Sequence, residues 1–304
     1  MIGRKRQPQR RTLGRCLLLS PVNAGFLLLK FLYSPQKDTT MLPINEIICG
    51  RNESVLATFP ADCIDLTVTS PPYDNLRTYK GFEWDFNSTA EQLYRVTKQG
   101  GVVVWVVADA TINGSETGTS FRQALYFMEC GFNLHDTMIY HRESQPRQSN
   151  RYEQHFEYMF ILTKDKPKTT NLMQVRCVQA GTIQRRNSRD NNSDVLVKSV
   201  NVTAETKNKG NVWVYGVGGA HNTADTYTTA HPGSFPEKLA EDHILSWSNP
   251  GDLILDPFAG SGTTPKMAIK HHRQFIGIDI SAEYCELTRK RIGCVQQSLF
   301  SMVG

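Results

Sequence analysis

Val102-Val103-Val104-Trp105-Val106-Val107-Ala108 is an apolar run with no polar face. Successive side chains of an extended strand point to opposite sides, so such a run needs cover on both. That is the condition of a parallel sheet layered between helices, and it makes this an α/β chain. The surrounding pattern agrees. Residues 44–49 and 64–69 read as short strands, 90–98 as a helix stopped by Gln99-Gly100-Gly101, and 120–130 as a second helix. Residues 135–140 and 156–163 read as a strand pair that extends the sheet.

At 304 residues the chain suits one elaborated domain or two small ones. Residues 164–210 lose hydrophobic periodicity and fill with Asn, Thr, Ser, Lys and Arg, which predicts a surface insertion with few strands of its own. Order returns at residues 211–215, and Phe235-Pro236-Glu237 opens an amphipathic helix through Trp247. The organisation expected is therefore an extension over 1–40, an α/β half over 41–163, an insertion over 164–210 and a second α/β half over 211–304.

Residues 1–40 stand apart. An arginine cluster precedes an apolar stretch interrupted by Pro21, Asn23 and Lys30, shorter than a membrane-spanning helix requires. We read this segment as an upstream extension, with Met41 as the working start. The net charge of +5 belongs to it: residues 1–40 carry eight Lys/Arg and one acid, leaving 26 basic against 28 acidic residues in the remainder. Within that remainder, residues 141–210 hold 13 Lys/Arg against seven Asp/Glu, a local excess able to neutralise phosphates. The seven cysteines show neither Cys-x-x-Cys pairs nor a disulfide framework, which fits reduced thiols in a cytoplasmic protein. His231, before a proline, reads as a turn residue, and His271-His272 as a helix end rather than a metal site.

Two motifs carry chemistry. In Thr69-Ser70-Pro71-Pro72-Tyr73 the proline rings fix φ and donate no hydrogen bond, so a rigid corner holds the Ser70 hydroxyl and the Tyr73 ring in one place. That layout suits a planar amine. Far downstream, an apolar strand ends in Asp256-Pro257-Phe258-Ala259-Gly260-Ser261-Gly262-Thr263-Thr264, a glycine turn with a helix opening near Pro265. A second strand ends in Asp279, at a spacing that suits a ribose-binding acid. The turn lacks the Gly-Lys-Ser/Thr of a phosphate loop, and there is no Gly-x-Gly-x-x-Gly, so a nucleoside-type cofactor without phosphates is indicated.

Together these residues resemble the amino-methylating DNA methyltransferases, and the order of the motifs, Ser70 to Tyr73 first and Asp256 to Thr263 last, looks like the beta group of that family. The resemblance covers about residues 41–295. It implies a doubly wound, mostly parallel seven-stranded sheet, circularly permuted, with a target-recognition region inserted in the middle. It implies S-adenosyl-L-methionine as methyl donor, held by Asp256, Pro257, Phe258, Gly260, Ser261, Gly262, Thr263 and Asp279 and closed over by Phe235 and Pro236. Ser70, Pro71, Pro72 and Tyr73 then form the catalytic corner. Independently of the resemblance, Asp109 and Asn113 follow the strand at its carboxyl end, where open α/β sheets bind ligands, so they border the base pocket or simply form turns. Double-stranded DNA is the implied partner, read by Arg185, Arg186 or Arg189, with a separate restriction endonuclease as companion.

Serine in the first position of the corner is typical of cytosine-N4 enzymes of this family, with adenine N6 as the alternative target. A DNA-recognition protein without activity is a third reading, against which intact Ser70 and Tyr73 speak. Carbon-5 cytosine methylation is set aside, because that chemistry needs a nucleophilic cysteine, usually after proline, and the chain has no Pro-Cys. One departure concerns Arg51, where relatives often carry an acid near the cofactor's adenine. Either a weakened hold on the cofactor or a contact shifted to Asn52 or Glu53 is expected.

Overall fold

The computed structural model describes residues 41–74, 84–143, 150–190, 193–216 and 235–303. The extension over 1–40 and His231 lie outside the described residues. The strands of the main sheet are β1 (Glu46–Cys49), β2 (Ile64–Thr69), β3 (Thr97–Val107), β6 (Asn133–Arg142), β7 (Phe156–Thr163), β12 (Val212–Tyr215), β13 (Leu253–Asp256) and β14 (Gln274–Asp279). A two-rung hairpin of β4 (Thr111–Ile112) and β5 (Ser115–Glu116) follows β3 outside that sheet. The order of the main sheet is β1-β14-β13-β2-β3-β7-β6-β12. All run in one direction except β7, which is antiparallel to β3 and to β6. The sheet thus has eight strands rather than seven. The addition is β12, which joins the edge beside β6 as the chain leaves the insertion.

Helices cover both faces, as the apolar run requires. The residues of β3 divide between them: Val102, Val104 and Val106 enter one core with Leu239, Ile244, Met267 and Ile292. These partners lie on α4 (Glu237–Trp247), α5 (Thr263–Lys270) and α6 (Ala282–Val303). Val103, Trp105 and Val107 enter the other, with Leu56, Leu93 and Phe127 from α1 (Asn52–Ala57), α2 (Phe86–Val96) and α3 (Thr119–Glu129). This is a doubly wound α/β sheet.

Gly100-Gly101 differs from expectation. The pair lies inside β3, where the register against β2 shifts, so it makes a bulge rather than a helix stop. A Cβ on Gly101 would lie 3.1 Å from the Asp65 carbonyl, which explains why the bulge takes glycine there.

The insertion also differs. It contains β8 (Gln174–Arg176) paired with β11 (Thr206–Asn208), and β9 (Ile183–Asp190) paired with β10 (Ser193–Val202), each ladder antiparallel. The result is a nested β-arm. Its strands escaped the sequence because Ile183, Val200 and Val202 are 67%, 65% and 67% exposed, so these described side chains form no buried face to impose a readable period. At its root, the Lys209 N–H donates to the Met173 carbonyl, and Asn171 binds carbonyls at the end of α4.

Candidate active site and cofactor turn

Parallel strands of an open sheet gather their ligands beyond the carboxyl ends, and here β2, β13 and β14 deliver both motifs to that edge. β13 lies between β14 and β2, with Leu255 opposite Thr67. Thr69 Oγ1 consequently donates to Asp256 Oδ1 at 2.7 Å across 187 residues of sequence. The Thr264 hydroxyl donates to the Val68 carbonyl at 3.0 Å. These bonds tie the serine corner to the glycine turn directly.

Within the turn, Gly260 and Gly262 have φ of 50° and 81°, the left-handed region that favours glycine. A Cβ on Gly262 would also lie 2.5 Å from Thr288 Cγ2. Gly262 caps α5, and Pro265 falls in its first turn, as the sequence predicts. Asp256 accepts from the Phe258 N–H at 3.1 Å, and burial pushes its carboxyl up to about 6. Asp279 accepts from the Gly260 N–H and the Ser281 N–H, each at 2.8 Å, while burial raises its pKa too. Two backbone donors orient this carboxylate, and each oxygen keeps an acceptor position for a vicinal diol.

Lys266 cannot be mistaken for a phosphate lysine, since its Nζ donates to Glu237 Oε1 at 2.7 Å. The donor set therefore fits a nucleoside with free ribose hydroxyls and no phosphate. Beside it, the half-buried Phe258 ring meets Trp84 edge-on at 4.9 Å. Ser261 and Thr263 are buried and gripped by Arg291, which is 1% exposed and reaches the Ser261 carbonyl at 2.9 Å and Thr263 Oγ1 at 3.2 Å. Arg291 also pairs with Glu237. The roles of Arg291, Glu237 and Thr69 were not read from the sequence, because each acts across elements far apart in the chain.

At the corner, Pro71 is buried and Pro72 half-buried. Ser70 Oγ lies 2.7 Å from Tyr73 Oη, which donates to Glu157 Oε2 at 2.8 Å. Glu157 accepts in turn from Arg142 Nη1 at 2.9 Å. Other expected residues find internal work. Asp109 accepts from the N–H and hydroxyl of Ser120, and Asn113 sits exposed at a turn with φ of 51°. Asn52 accepts from Thr89 at 2.7 Å, and Glu53 pairs with Arg51. Pro236 caps α4 with its carbonyl, and Phe235 packs half-buried against the core. Arg185 is exposed on β9 opposite Val200; the side chains of Arg186 and Arg189 lie outside the described residues. His271 meets Glu241 at 2.7 Å, and the described residues hold no cluster suited to a metal.

Residues 64–290 match the N6/N4 family described as DNA methylase. The chain belongs to the N6/N4 DNA methylase family. A relative of this methylase is the orphan methyltransferase M.BamHII of Bacillus amyloliquefaciens, 54% identical over 76% of this chain and 89% of its own. Another is the DNA adenine methyltransferase YhdJ of Escherichia coli strain K12, 29% identical over 81% and 82% of the two chains. Among solved structures, the methylase resembles TTHA0409 of Thermus thermophilus, a putative DNA modification methylase complexed with S-adenosyl-L-methionine. The TM-score is 0.56 at 22% identity, covering 82% of this chain and 93% of that one. That likeness concerns the fold. As a member of the family, the protein is an N4-cytosine or N6-adenine DNA methyltransferase that uses S-adenosylmethionine.

Proposed function

We propose that the methylase modifies the exocyclic N4 of cytosine in a base flipped out of double-stranded DNA. The observation that carries this reading is the Ser70 hydroxyl, held against Tyr73 and tied through neighbouring Thr69 to the cofactor turn. S-adenosylmethionine supplies an electrophilic methyl group. Asp279 holds the ribose hydroxyls, the Asp256 to Thr263 turn lines the nucleoside, and Phe235 with Pro236 bounds the methionine end.

An exocyclic amine is a poor nucleophile because its lone pair is delocalised into the ring. Ser70 and the Pro71 carbonyl accept its two hydrogens and turn the lone pair out of conjugation, so the site works by orientation. Tyr73 stacks on the base, which must leave the duplex to reach a donor at this sheet edge. A neutral hydroxyl is enough, since the nitrogen becomes acidic once methylated. Arg185, Arg186 and Arg189 on the arm contact DNA.

Adenine N6 is the second reading, favoured by the relationship to an enzyme named a DNA adenine methyltransferase. Incubation with labelled S-adenosylmethionine and duplex DNA, followed by mass spectrometry of the digested DNA, separates the two. N4-methylcytosine is expected, and its loss in Ser70→Ala ties it to the corner. N6-methyladenine alone selects the second reading; no transfer, with Ser70→Ala indistinguishable from wild type, rejects both.

A further inference from the structure

Glu157 is 8% exposed, on a strand that the catalytic motif does not include. Burying a carboxylate is costly unless it is partnered. Among the described residues, Arg142 Nη1 donates to one of its oxygens and the Tyr73 hydroxyl to the other. A carboxylate held by a guanidinium only accepts hydrogen bonds. Tyr73 therefore commits its single hydroxyl hydrogen to Glu157, and the contact between Ser70 and Tyr73 can then be made only with Ser70 as donor. With its own hydrogen turned inward, Ser70 presents lone pairs to whatever approaches the corner.

We propose that Glu157 is a positioning residue that, through Tyr73, fixes Ser70 as a hydrogen-bond acceptor toward the exocyclic amine. The inference rests on the methyl-transfer reading and deepens it. An isolated serine hydroxyl rotates freely and meets an amine as donor or acceptor. Anchored to a buried carboxylate, the line of bonds runs one way, from amine to Ser70, to Tyr73, to Glu157. Each bond polarises the next, so Ser70 Oγ gains negative character where the amine develops positive charge.

The test uses the full chain, duplex DNA and labelled S-adenosylmethionine under single-turnover conditions. Glu157→Gln keeps shape but changes polarity. Arg142 holds the amide oxygen, the amide N–H₂ faces Tyr73, every bond in the line reverses, and Ser70 points a hydrogen at the amine. The rate of transfer falls about a hundredfold, the size expected when one oriented group at a developing charge is lost. Binding of S-adenosylmethionine and of DNA, measured separately, changes less than about threefold, because the lost interaction belongs to the transition state.

Tyr73→Phe keeps the stacking ring and the Glu157–Arg142 pair, so it tests the same line should Glu157→Gln misfold by circular dichroism. It loses a comparable factor, and the double variant falls no further, since both changes cut one chain of bonds. Losses below about threefold in either folded variant, or losses that multiply in the double variant, overturn the role of Glu157 while leaving methyl transfer by the wild type in place. Absence of transfer by the wild type overturns the methyl-transfer reading itself, and this inference with it.

Discussion

Strands β3 and β10 have nearly the same length, 11 and 10 residues, and both are rich in valine. In β3 the apolar side chains of residues 102–107 are at most 1% exposed, whereas Val200 and Val202 of β10 remain about two-thirds in water at 65% and 67%. Identical side chains thus carry different energetic weight. Burial of a valine stabilises by roughly 1.5–3 kcal/mol, and a valine left in water contributes little of that. The sheet is held by its core, whereas the described valines of the arm add little to its ladder of backbone bonds.

Four variants sharpen or break this contrast. The largest effect is expected in the sheet. Trp105 is fully buried and its Nε1 donates to Gln123 at 2.9 Å, so Trp105→Ala should lower stability by about 3–5 kcal/mol in urea unfolding.

An intermediate effect belongs to the junction of the two regions. His243 is fully buried and stacked on Trp213 at 4.7 Å, and Lys209 Nζ lies 4.6 Å from the centre of the same tryptophan ring. Burial, then the Lys209 charge, lowers its pKa to about 3. The folded protein keeps this imidazole neutral while the unfolded chain protonates it below about pH 6.5, so its contribution is lost as pH falls from about 6.5 toward 3. His243→Gln removes that dependence. The stability of wild type relative to the variant should drop by about 2 kcal/mol between pH 7 and pH 5.

The smallest effect is expected on the arm. Val200→Ser should change stability by less than about 0.5 kcal/mol. Arg185→Ala should leave unfolding unaltered yet weaken DNA binding and reduce the slope of log affinity against log salt by about 1. A loss on the arm equal to that in the sheet would refute the contrast.

The same contrast explains what was legible in the sequence. Val102 to Val107 announced a two-faced sheet because burial on both sides leaves no polar residue in the run. Ser70 with Tyr73, and Asp256 with Gly262, were legible because each motif is continuous in sequence and its backbone demands particular residues. The arm was hidden, since apolar residues left in water, as Ile183, Val200 and Val202 are, resemble an irregular polar segment. Glu157 and Arg291 were hidden for a different reason. Glu157 lies 84 residues from Tyr73 and Arg291 lies 30 from Ser261, so their roles exist only after the chain has folded back.

The position of β13 between β14 and β2 has a consequence for synthesis on the ribosome. The serine corner leaves the exit tunnel early, but the strand that completes its sheet is made much later, as the separation of 187 residues between Thr69 and Asp256 requires. Until then β2 presents a bare edge of backbone donors and acceptors, the kind of surface onto which another nascent chain can add a strand. The corner is thus held back from a finished pocket until the strand ending in Asp256 has emerged.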